Sequence, residues 1–195
     1  MDAPASAADT IESTIADHLR VVEAFRTACA GTIEAIADSC IESVRNGGKV
    51  CWFGNGGSAA DAQHFAAEFV VRFVRNRRAL PSIAFTTDTS ILTACANDFG
   101  YDDVFARQVE GLCRPGDVVV GISTSGTSKN VVRGLEAARA IDGITTVAFT
   151  GETGARCAEL ADHALCVPSP VTARVQECHL IAGHAICDLA EAALA

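Results

Sequence analysis

The sequence predicts an α/β fold in which a parallel sheet is covered by helices on both faces. Two observations predict it. Short apolar runs recur along the chain without polar alternation, as strands buried on both faces require. These runs take turns with longer stretches of helical period. The 195 residues are 49% hydrophobic and 20% charged, enough for one ordinary core.

The elements follow in order. Residues 10–45 read as helix, with Ile11, Ile15, Leu19, Val22 and Phe25 at helical spacing. Gly31 is expected to interrupt or offset it, and Asn46-Gly47-Gly48 to end it. The apolar run 49–53 is a strand, 54–58 a glycine-rich turn, and 59–75 a helix. Residues 82–86 form the next strand, with helices at 88–96 and 102–112. A strand at 117–122, a helix at 128–140 and a strand at 144–150 come next. A short helix at 152–160, a strand at 163–167 and a long helix at 171–195 complete the chain. Residues 1–8 are expected to be a mobile arm. No linker or repeat divides the sequence, so residues 1–195 are taken as a single domain.

A formal net charge of -9 argues against broad binding of nucleic acid or anionic membrane. A local anion site remains compatible with it. No segment has the unbroken apolar length of a membrane span. Residues 1–8 lack the basic and apolar regions of a secretory signal. The nine cysteines are odd in number, scattered, and without a Cys-x-x-Cys pair. They are expected to be reduced and buried in a cytoplasmic protein.

Two loops follow strands and open helices: Gly54-Asn55-Gly56-Gly57-Ser58 and Ser123-Thr124-Ser125-Gly126-Thr127-Ser128. Small residues there let backbone N–H groups approach an anion at the positive end of a helix. Either loop alone is as well explained by tight turns and helix caps. Two of them in one parallel sheet favour a phosphate site. The first loop also fits the loose dinucleotide pattern G-x-G-x-x-A, but the acidic residue expected about 20 positions on is missing. No G-x-x-x-x-G-K-[ST] motif occurs, which argues against a nucleotide triphosphatase.

His64 and Glu68 lie four apart on one helix face, next to the first loop. The pair suits acid–base work, and a plain surface pair is the competing reading. The last helix carries Gln176, Glu177, His179, His184 and Asp188. A helical wheel aligns Glu177, His184 and Asp188, sets Gln176 to one side and puts His179 nearly opposite. Periodicity does not decide which of them faces a site. His64, Glu68 and His184 have the chemistry of zinc ligands.

Four stretches together resemble the signatures of the phosphoheptose isomerases, a family of the SIS type. They are Gly54-Asn55-Gly56-Gly57-Ser58-Ala59-Ala60-Asp61-Ala62-Gln63-His64-Phe65-Ala66-Ala67-Glu68, then Asn97-Asp98-Phe99-Gly100-Tyr101 with Val104 to Glu110, then Gly121-Ile122-Ser123-Thr124-Ser125-Gly126, then Arg174-Val175-Gln176-Glu177 with His179 and His184. The resemblance runs from about the first helix to the C-terminus. It implies a SIS-type three-layer sandwich with a five-stranded parallel sheet. It implies a homotetramer with sites shared between subunits, in which residues 10–45 pack. The implied reaction turns D-sedoheptulose 7-phosphate into D-glycero-D-manno-heptose 7-phosphate, for bacterial lipopolysaccharide or another glycoconjugate.

By the same resemblance, Ser123, Thr124, Ser125 and Ser128 hold the phosphate. Asn55, Gly56, Gly57, Ser58, Asn97, Asp98 and Gln176 contact the substrate. Glu68 and His184 form the acid–base pair. His64, Glu68, Gln176 and His184 are the implied ligands of one zinc per subunit. Thr127 departs from the asparagine of many members. The alternatives are an isomerase of another phosphosugar and a non-catalytic regulator of the DnaA initiator-associating type. The latter type lacks the glutamate and the last histidine, and both are present here.

Overall fold

The computed structural model describes residues 6–195. Among them, the first helix, α1, spans Ala7–Arg45 and is capped by Ser6, whose side chain accepts from the Asp9 N–H. The expected arm therefore does not extend through residues 6–8, and 1–5 lie outside the described residues. Gly31 does not break α1. A Cβ there would meet nothing within 4 Å. The position faces open space, where glycine costs a helix only about 1 kcal/mol relative to alanine.

Strand β1 (Val50–Gly54) leads into α2 (Gly57–Val70). Then come β2 (Ser82–Ala84), α3 (Thr89–Asp98) and a 3₁₀ turn (Tyr101–Asp103). They are followed by α4 (Ala106–Leu112), β3 (Val118–Ser123) and α5 (Lys129–Arg139). Strand β4 (Thr145–Thr150), α6 (Ala155–Leu160), β5 (His163–Cys166) and α7 (Thr172–Leu194) complete the order.

The five strands pair in parallel in the order β2-β1-β3-β4-β5. The chain thus leaves β1 toward one edge and β3 toward the other. The crevice between their C-terminal ends is the place where such sheets bind ligands. Gly54 pairs with Ile122, so the two small-residue loops emerge side by side.

Alternate strand residues enter two cores. Trp52, Val120 and Phe149 pack with α1, α2 and α7 on one face. Phe53, Val119 and Ala148 pack with α4, α5 and α6 on the other. Trp52 sits 5.3 Å from Phe65 and 6.1 Å from Phe69, between ring centroids. Its indole N–H donates to Ser82 Oγ, so the buried ring carries no unmet donor.

Helix α2 ends at Val70, five residues short of the expected end. The cause lies far along the chain. Glu191, fully buried on α7, accepts the backbone N–H groups of Phe73, Val74 and Arg75. Arg77, 3.3 Å from the same carboxylate through Nε, donates to the carbonyls of Glu68 and Phe69. These bonds occupy groups that further helical turns would need. The stripe expected on α1 is also only partly core. Phe25 is buried and Val22 half-buried, while Ile11, Ile15 and Leu19 remain 61%, 51% and 62% exposed; Val21, outside the expected stripe, is the buried neighbour.

Candidate active site

A cavity of about 230 Å³ opens over the β1/β3 crevice, lined by Asn55, Ser58, Ser123, Thr124, Ser128 and Gln176, with Ile122 and Thr172. Ser123 Oγ lies 3.0 Å from Ser128 Oγ and 3.4 Å from Ser125 Oγ. Ser128 is the N-cap residue of α5, yet its side chain makes no capping bond. The Lys129 and Asn130 N–H groups thus have no capping side chain, and Ser128 Oγ turns to Ser123 instead. No lysine or arginine lines the cavity. An anion here is met by hydroxyls and by a helix N-terminus, not by fixed charge. Thr127 Oγ1 donates to Ser125 Oγ at 3.0 Å, so the threonine steadies this loop.

Gln176 reaches the cavity across Gly57. A Cβ at position 57 would stand 2.3 Å from Gln176 Nε2. Glycine at that point leaves the amide room to lie against the loop itself.

Glu68 and His184 meet across the contact between α2 and α7. His64 Nε2 stands 2.8 Å from His184 Nε2 and 3.6 Å from Glu68 Oε1. One ligand atom from each of His64, Glu68 and His184 lies within 4.8 Å of the others. Two unprotonated imidazole nitrogens cannot face each other at 2.8 Å. Either one carries a proton, or a cation lies between them. On a tetrahedral zinc with bonds of about 2.0–2.1 Å the two nitrogens stand about 3.3 Å apart, so a shift of about half an ångström accommodates the ion. Two imidazoles and a carboxylate suit zinc by ligand type.

The helices can come so close because of Gly183. A Cβ there would lie 2.1 Å from the Phe65 ring. Phe65 follows His64 and Gly183 precedes His184, so this contact sets the distance between the two histidines.

Other expected residues lie elsewhere in the chain. Gln176 is eight residues before His184, about 12 Å along α7. Within one chain it belongs to the hydroxyl cavity and stands apart from the triad. Asn97 donates to Asp98 on the exposed end of α3, and Asp98 borders a separate, more apolar hollow of about 340 Å³ between α3 and α4. Glu177 is held by His18 and Arg174. Burial pushes its carboxyl up, and these two bonds outweigh that and bring it below the usual range. Asp188 pairs with Arg75. His179 is wholly buried with Nε2 at the Thr150 carbonyl, and burial pushes its pKa down to about 4. All nine cysteines are free, and all but Cys166 are buried.

Similarity to known proteins agrees with this geometry. Residues 15–151 match the model of the SIS domain family. The phosphoheptose isomerase of a Roseiflexus species is 54% identical over 186 residues, covering 95% of this chain and 92% of that one. That of Paramagnetospirillum magneticum is 50% identical over 185 residues, covering 95% and 96%. The chain belongs to the phosphoheptose isomerase family. The solved phosphoheptose isomerase of Neisseria gonorrhoeae superposes with a TM-score of 0.91 at 40% identity, covering 96% of this chain and all of that one.

In this member of the phosphoheptose isomerase family, three residues beside the site escaped the sequence reading. Asp61 lies one turn before His64, and its Oδ2 is buried without a partner. Burial pushes its pKa up to about 6, against the lowering pull of His64. Asn130 stands behind Asn55. Gly183 admits Phe65. The i, i+3 spacing of Asp61 and His64 was the one available sequence signal; a small or amide residue inside a helix sends none.

Proposed function

We propose that the chain is an aldose–ketose isomerase converting D-sedoheptulose 7-phosphate to D-glycero-D-manno-heptose 7-phosphate for bacterial heptose biosynthesis. The observation that carries the reading is the convergence of Glu68, His64 and His184 from two helices. Ser123, Thr124, Ser125 and Ser128 hold the phosphate in this proposal. Asn55, Gly56, Gly57, Ser58, Asn97, Asp98 and Gln176 form the rest of the substrate site. Holding the phosphate far from the reacting carbons supplies orientation.

Isomerisation moves a proton between C1 and C2 through an enediol. Glu68 is the base that takes the proton from carbon and returns it to the neighbouring carbon. His184 passes the matching proton between the two oxygens. Each such group contributes about 10²–10⁴-fold. His64, Glu68 and His184, with Gln176, are the proposed holders of one zinc per subunit. Bound there, zinc would supply Lewis-acid stabilisation of negative charge on the substrate oxygens.

The proposal includes a homotetramer with shared sites. Two observations support it. His64 and Glu68 lie six and ten residues beyond Ser58 on α2, about 9 and 15 Å along the axis. In the proposal a neighbouring chain's triad meets this chain's cradle and Gln176, which stands apart from the triad within one chain. The triad is also open in the single chain, with the His64 side chain 43% exposed. Action in the cytoplasm goes with the proposal, since nine unpaired cysteines suit a reducing compartment.

The test is purified, metal-replete protein incubated with sedoheptulose 7-phosphate, with product identification by NMR. Formation of the heptose 7-phosphate is expected, with loss of at least about 10²-fold in Glu68→Gln. Near-normal turnover in Glu68→Gln with retained assembly removes the base assignment. Metal analysis of His64→Ala and wild type checks the zinc reading independently of turnover: about one zinc per chain is expected only in the wild type.

A further inference from the structure

Asn130 is 4% exposed on the first turn of α5 and faces Asn55 across the crevice. The two amides pair reciprocally. Asn55 Nδ2 donates to Asn130 Oδ1, and Asn130 Nδ2 donates to Asn55 Oδ1, both at 2.8 Å. Such a ring of two bonds looks the same if both amides are flipped, so the pair alone does not orient itself. A third bond breaks the tie. The Val131 backbone N–H donates to Asn130 Oδ1 at 3.0 Å, and an N–H needs an oxygen there. The orientation of Asn130 is therefore set by the backbone of α5, and that of Asn55 is set by Asn130.

We infer that Asn130 is a positioning residue that fixes which edge of the Asn55 amide faces the cavity. With one N–H of Asn55 engaged by Asn130, one N–H remains for a ligand. Its oxygen accepts from Asn130 and, at 3.4 Å, from the Tyr101 hydroxyl. Asn55 is thus presented to the cavity as a donor. A sugar hydroxyl or carbonyl oxygen is the group that edge recognises. The clasp also ties the loop after β1 to α5, the helix that follows Ser128, joining the sugar side of the cleft to its phosphate side. The inference deepens the proposed function and rests on its reading of Asn55 as a substrate contact.

The experiment is a double-mutant cycle with steady-state kinetics on sedoheptulose 7-phosphate, using Asn55→Ala, Asn130→Ala and the pair. Competitive inhibition by inorganic phosphate is measured for each. Asn130→Ala is expected to lower kcat about tenfold with the phosphate inhibition constant unchanged within about twofold. In the Asn55→Ala background the second substitution is expected to cost nothing further. Costs that multiply, or phosphate inhibition that weakens in step with kcat, overturn the positioning role. Full turnover in Asn55→Ala alone overturns the substrate-contact reading instead, and the role of Asn130 with it. Should Asn130→Ala not fold, Asn130→Leu keeps most of the side-chain volume and removes both amide bonds to Asn55. A folded Asn130→Leu with wild-type kcat overturns the inference.

Discussion

The groups that do chemistry here are placed by neighbours that do none. Gly57 leaves room for the Gln176 amide, whose Nε2 would stand 2.3 Å from an added Cβ. That atom is the far end of a flexible side chain. Gly57→Ala should therefore cost little in melting temperature and displace Gln176 from the cavity. The expected result is a fall in kcat/KM of about tenfold or more with an unchanged melt, read by kinetics and calorimetry. His179 shows a different dependence. Burial holds its pKa at about 4, below the ordinary 6.5. Its neutral form suits the fold, so its contribution is complete above about pH 6.5. It is lost as pH falls toward 4, because the unfolded chain takes up a proton that the folded one refuses. The full span is about 3 kcal/mol at about 1.4 kcal/mol per pH unit. The drop in melting temperature between pH 7 and pH 5 should shrink in His179→Gln. An unchanged slope would assign it to other groups. At this scale the sequence was legible only where spacing carries meaning. His64 and Glu68, four apart, stood out. His184 did not separate from Glu177 and Asp188, because a wheel shows alignment and not what the aligned face meets.

Two helices, α2 and α7, carry the triad, and their separation is the quantity that matters. Gly183 against Phe65 sets it near the site, and Glu191 with Arg77 sets it two turns further along α7. Gly183→Ala must push a buried ring, so a loss of about 1–3 kcal/mol is expected, as for other overpacked cores. The helices should part there, and zinc affinity measured by competition with a chelator should fall as well. Unchanged affinity in a destabilised variant would show that the contact serves packing alone. Strand positions were legible because continuous apolar runs of four to six residues have few other uses. Strand order was not, since strands buried on both faces carry no alternation to reveal their neighbours. The end of α2 was overrun because its terminator, Glu191, lies more than a hundred residues away. Gly31 misled in the other direction, since a solvent-facing glycine weakens a long helix without ending it.

The whole molecule is lopsided. With 39 residues, α1 is about 58 Å long, whereas five strands span about 19 Å of sheet. The first turns of α1 carry Ile11, Ile15 and Leu19 in the open. In the proposed tetramer this stripe is buried between subunits. Ile15→Glu with Leu19→Glu is expected to yield smaller species by light scattering and, if sites are shared, to abolish turnover while leaving each chain folded. A tetramer that survives the change would move the interface elsewhere. The exposed face of α1 also gives assembly a signature that needs no substrate. Arg20 and Arg26 lie on α1 with side chains 72% and 73% exposed. In the proposed tetramer trypsin reaches these two side chains less readily than in a separated chain. The rate of clipping at these two arginines, followed against protein concentration, would therefore trace association directly.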